Sequence, residues 1–161
     1  MISSILSIVS GANEIQSLQS WVSSFALKNR GPKRAILAEV SANFKVMKVL
    51  LRNDVNALEV AESLRTNAFD QLESSDFSFN ALKHQKVSLA RLKIQDLPSF
   101  SYLDGATTET LVCSMYERIR ILQSLAKTAS KNKKFQDRVR FDVRLQNIAK
   151  MLLILVLHLK S

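Results

Sequence analysis

Met151-Leu-Leu-Ile-Leu-Val-Leu157, which continues the pattern of the basic segment Lys131-Asn-Lys-Lys-Phe-Gln-Asp-Arg-Val-Arg140, decides the fold. A helix that is apolar on every side must be enclosed by protein or lipid, whereas an arginine-bearing flank must face water or an anion. The run of seven apolar residues is far below the roughly 20 needed to cross a bilayer as a helix. Enclosure by protein is therefore the expectation, and the rest of the chain is read for the helices that supply it.

Working outward, the spacing predicts a last helix over about 132–160, with Phe141, Leu145, Ile148, Leu152, Leu155 and Leu159 on one face. Before it, Thr107 or Thr108 caps a long helix to about 129 whose inward stripe is Leu111, Met115, Ile119, Leu122 and Ala126. Residues 2–28 read as an opening helix, interrupted near Gly11, with Ile15, Leu18, Val22, Phe25 and Ala26 inward. Lys28-Asn-Arg-Gly-Pro32 ends it: cations near a helix C-terminus, Gly31 where a left-handed cap belongs, and Pro32 at the start of the next helix. That next helix, about 32–52, turns Leu37, Val40, Phe44, Met47 and Leu51 inward.

Asn53 or Asp54 can cap a third helix, roughly 54–73, with Ala57, Val60, Ala61, Leu64, Ala68 and Leu72 buried. A turn-rich stretch over 74–80 leads to a shorter helix from about 80 to 94, stopped by Leu97-Pro98. Residues 98–105 are the longest expected irregular segment. With three Gly and two Pro in 161 residues, sharply turning β architectures are disfavoured. The expectation is an all-α single-domain helical bundle over 1–161, of four long helices plus one shorter helix.

The single cysteine, Cys113, rules out an intramolecular disulfide and a Cys-rich zinc site, which fits a reducing, cytoplasmic setting. The first residues carry no Lys or Arg before their short apolar stretch, against the pattern of a secretory signal. His84 and His158 have no second ligand at metal-pair spacing, nor the upstream arginine found in small helical ribonucleases. Cys113, among Leu111, Val112 and Met115, reads as a small apolar residue at a core boundary. Phosphate-loop, dinucleotide and nucleophile-elbow motifs are absent. No catalytic residue, metal ligand, cofactor or small-molecule substrate is indicated, so a non-enzymatic protein is expected.

Two functional readings remain. Leu153, Ile154 and Leu157 lie away from the Leu152/Leu155 stripe, so a second chain would cover them; the protein is then an adaptor or regulatory subunit associating, with itself or another protein, through its C-terminal helix. The opposing reading covers that end with Ile2, Ile5, Leu6 and Val9 of the same chain. The alternative function is nucleic-acid binding. A formal charge of +9 favours anionic partners, and Lys133, Arg140, Arg144 and Asn147 share one flank of the last helix. Lys45, Lys48 and Arg52 form a comparable line on the second helix, and if the two helices are neighbours the lines merge into one phosphate-binding surface. Against it stand ion pairing of Arg140 and Arg144 with Asp137 or Asp142, and the loop aromatics Phe77, Phe79, Phe100 and Tyr102, which the hydrophobic effect tucks into the bundle.

Overall fold

The computed structural model describes residues 12–49, 56–94 and 98–161. Its first two helices, α1 (Ala12–Lys28) and α2 (Gly31–Lys48), meet at the turn the sequence marks. Gly31 takes φ +58°, the left-handed conformation that costs a side-chain-bearing residue most, and Pro32 follows in the first turn of α2. Asn29 closes the end of α1, its side-chain amide donating to the Phe25 carbonyl at 2.8 Å. Gln19 and Ser23 of α1 both bond Ser41, and Lys48 reaches back to Gln16, so the two helices run antiparallel.

The long helices α5 (Thr108–Ala129) and α7 (Phe141–Lys160) form the other pair. Thr107 caps α5, its hydroxyl accepting from Thr110 N at 3.1 Å. Thr108 at the start of α5 bonds His158 near the end of α7 at 2.9 Å, which fixes these two as antiparallel as well. Lys83 completes this end of the bundle, donating to the His158 carbonyl at 2.7 Å and to Ser161. A cation there also suits the negative end of α7.

The all-round apolar stretch of α7 is enclosed by its own chain. α1, α2, α5 and the short α3 (Ala57–Ser63) all pack on α7, and residues 151–156 are all buried. The inward stripes read from the sequence are buried at every described position of α5 and α7. Ile15, Leu18, Val22 and Ala26 of α1 and Leu37, Val40, Phe44 and Met47 of α2 join them, while Phe25 is half-buried and stacks on Trp21 at 4.8 Å. Among the described residues no helix is long and apolar enough to cross a membrane. Leu51, the caps expected at Asn53 or Asp54, Gly11 and the apolar residues of 2–9 lie outside the described residues.

Four segments differ from expectation. The third helix is not continuous: α3 ends at Ser63, residues 64–66 are non-helical, and α4 (Asn67–Ser74) begins anew. Asn56 caps α3, accepting from Leu58 N at 3.0 Å. The break is held by side chains from other helices. Asn43 donates to the Arg65 carbonyl at 2.8 Å and accepts from Arg65 N at 2.7 Å, while Glu39 accepts from Ala68 N at 2.7 Å and Phe69 N at 3.1 Å. Gln123 donates to the Leu64 carbonyl at 2.6 Å. These bonds replace those that helical continuation would have supplied, and they let Phe69 stack on Tyr116 at 4.3 Å beneath Arg120, which is paired with Asp70 and Glu73.

The shorter helix expected over 80–94 does not form. Phe79–Ala81 is a single 3-10 turn, and 82–94 run irregularly because Val87 pairs with the backbone of Gly105 and Ala106 at 2.8 Å each. The segment expected to be irregular instead contains a 3-10 helix, Pro98–Leu103. The last helix is interrupted at Arg140, whose φ of +53° separates α6 (Lys133–Val139) from α7. Side chains two apart on a continuous helix point about 200° away from each other; the interruption allows Val139 and Phe141 both to be buried.

Candidate anion-binding groove

The interruption at Arg140 also shapes a surface groove. Between α5 on one side and α6–α7 on the other runs a groove of ≈ 730 Å³. Arg138, Arg140, Arg144 and Asn147 line one wall, and Ser114, Glu117, Arg118 and Ile121 of α5 line the other, with Tyr102 beside them. Four guanidiniums against one carboxylate, Glu117, leave the lining a net charge of +3 (4 − 1).

Two of these arginines are positioned by hydrogen bonds that leave most of their N–H groups available. Arg144 Nε donates to the Val139 carbonyl at 3.0 Å, using an acceptor freed at the end of α6. Arg118 donates to the Tyr102 hydroxyl at 3.2 Å. The pairing of Arg140 or Arg144 with Asp137 or Asp142 does not occur: among the described residues the ion pairs are those of Arg120 with Asp70 and Glu73.

The sequence-derived candidates are only partly brought together. Arg140, Arg144 and Asn147 line the groove as one flank, but Lys133, although exposed at the start of α6, does not. Lys45 and Lys48 are elsewhere. α2 does neighbour α7, yet Lys48 approaches it beside Ala149, Leu152 and Leu153, half a turn around α7 from Val143, Arg144 and Asn147. Lys48 therefore does not join the arginine flank, and Arg52 lies outside the described residues. Arg118, Arg138 and Tyr102 were not singled out from the sequence as groove residues. The i, i+4 position of Arg118 before Leu122 hinted that it borders the core stripe of α5, but nothing local indicated which helix it would face.

The apolar surface expected at Leu153, Ile154 and Leu157 is absent at the first two. Leu153 and Ile154 are 3% and 0% exposed, and Leu157 is half-buried. The correction has a simple cause: packing by α1, α2, α3 and α5 covers α7 on more sides than a four-helix arrangement alone implies.

The remaining reactive side chains lie away from this groove. His84 is exposed, while His158 is fully buried with Nε2 on Thr108. Burial, then the charges of Lys83 and Arg91, lowers the His158 pKa to about 4, so the ring is neutral at physiological pH. Cys113 is half-buried; burial, then the neighbouring charges of Glu109 and Glu73, pushes its thiol up. Burial first and the Glu39 carboxylate second hold the Tyr116 phenol well above its ordinary value. None of these groups lines the groove. No family model, no curated protein and no solved structure matches the chain.

Proposed function

We propose that the protein is a nucleic-acid-binding module that grips backbone phosphates in the groove between α5 and α6–α7. The observation that carries this reading is the gathering of Arg118, Arg138, Arg140 and Arg144 in one groove, with no ion pair to a carboxylate among the described residues. Guanidinium is planar, always charged and able to bond phosphate through two N–H groups at once, and all four cations of the lining are of this type. Several such groups along an open groove suit a repeating polyanion, and the +9 chain charge would speed its encounter. The function is binding: the lining has one carboxylate and neither histidine, so no acid–base pair is supplied there. Association through the C-terminal helix loses its support with Leu153 and Ile154 inside the core.

The test is fluorescence anisotropy with labelled oligonucleotides across a salt series. Four phosphate contacts give a logarithmic salt slope of about −3, which weakens binding about 50-fold between about 50 and 200 mM salt. Arg140→Glu with Arg144→Glu should cut the slope to about half and the affinity far more, while the circular-dichroism melt stays close to that of the parent, since exposed charges contribute little to stability. A flat salt dependence, or unaltered binding in the double variant, refutes the proposal.

A further inference from the structure

We infer that the groove takes single-stranded rather than duplex nucleic acid, with an unpaired base stacked on Tyr102. The inference rests on the phosphate-binding reading above and adds what the apolar part of the groove does. Four large hydrophobic side chains are exposed among the described residues, and three of them, Tyr102 at 50%, Ile121 at 49% and Val143 at 36%, line this groove. Exposed apolar groups clustered in one concavity mark a binding site more than scattered ones do. A ligand that met only arginines would leave these three side chains in water.

Tyr102 is also presented rigidly. In a 3-10 helix residues three apart share a face, and Phe100 and Leu103, at that spacing, are both buried and anchor Pro98–Leu103 to the core. Tyr102 falls off that inward face. Its hydroxyl accepts from Arg118, so the ring is held beside a guanidinium. The other loop aromatics take the opposite course: Phe79 and Phe100 are buried and Phe77 is half-buried. One ring alone among those four loop aromatics is left to stack, and it is the one in the arginine groove.

A single strand offers what this lining requires, regularly spaced phosphates and unpaired bases whose faces are free to stack on an aromatic ring beside cations. A duplex keeps its base faces inside, and it is wider than a cleft between two packed helices, whose axes lie about 8–10 Å apart. It would therefore touch the arginines but not cover Tyr102, Ile121 and Val143.

The experiment compares a labelled single strand of about 12 nucleotides with a hairpin duplex of the same sequence, by anisotropy, on the parent chain, Tyr102→Ala, Tyr102→Phe and the Arg140→Glu/Arg144→Glu pair. The parent should prefer the single strand at least about 10-fold, and Tyr102→Ala should weaken single-strand binding about 5- to 100-fold, the loss of one base stack. Its salt slope should not change, because no phosphate contact is removed, and Tyr102→Phe should retain most of the affinity; a mere structural defect would not separate these readouts. Equal affinity for the duplex, or no effect of Tyr102→Ala, overturns the single-strand inference, and if the arginine pair still abolishes binding the phosphate reading stands. Binding of neither nucleic acid overturns both. A labelled polyglutamate peptide that binds where oligonucleotides do not also overturns both, in favour of an acidic protein partner.

Discussion

Replacing Asn43 by alanine tests the account of why the third predicted helix breaks. Asn43 is fully buried on α2, and its amide makes two bonds to the backbone of one residue, Arg65, across 22 positions of sequence. Alanine removes both and leaves the Arg65 N–H and C=O to find water or remain unpaired. If water replaces the amide, each bond costs about 0.5–1.5 kcal/mol, and if it does not, about 1–3 kcal/mol. With the small cavity left on α2, the expected loss is about 2–4 kcal/mol. That is a large fraction of the roughly 5–15 kcal/mol of a typical domain, and for a chain of this length it lowers the melting temperature by about 5–15 °C.

The assay is urea denaturation followed by far-ultraviolet circular dichroism, in which the midpoint should fall with little change in slope. Asn43→Asp is the informative companion: it retains an acceptor for Arg65 N but sets a second oxygen against the Arg65 carbonyl, so it should be no better tolerated than alanine. Hydrogen exchange should speed up at residues 64–69 ahead of the α5 and α7 core. A loss below about 0.5 kcal/mol, the scale of an ordinary surface substitution, would refute the reasoning that these bonds hold the break.

The buried histidine makes stability depend on pH. The folded-state pKa of His158, about 4, lies below its ordinary 6.5, so between those values the unfolded chain binds a proton that the folded chain refuses. Stability should be unaffected by this group above about pH 7 and fall as pH drops from 6.5 toward 4, by roughly 3 kcal/mol at most; melting curves of His158→Gln, which does not titrate, should lose that part of the dependence. Cys113, with its thiol pKa raised by burial and by Glu109 and Glu73, should react slowly with a thiol-specific disulfide reagent at neutral pH and rapidly once unfolded; fast labelling of the folded chain would show the burial of its surroundings to be wrong.

Much of the helical core was legible in the sequence because a stripe repeating every three or four residues is a local property. Leu111, Met115, Ile119, Leu122 and Ala126, and Phe141, Leu145, Ile148, Leu152, Leu155 and Leu159, are all buried as their spacing requires. The Gly31-Pro32 turn and the Thr107 cap were legible for the same reason, since each depends on residues a few positions apart. Part of one groove wall was legible too: Arg140, Arg144 and Asn147 were read as one flank, and they line the groove together even though Arg140 stands just before α7.

Only the tertiary structure decided the rest. Pattern alone joins residues 54–73 into one helix, because the side chains that satisfy the interrupted backbone, Glu39, Asn43 and Gln123, come from α2 and α5. Pattern alone likewise leaves open what covers Leu153 and Ile154, because their coverage depends on how many helices pack around α7. Arg118 and Tyr102 join Arg140 and Arg144 only when α5 and α7 are set antiparallel and residues 98–103 are anchored beside them. Amphipathic spacing specifies which side of a helix goes inward; which chain covers that side, and which distant groups meet on the other, is set by long-range packing and the pairing of buried backbone groups.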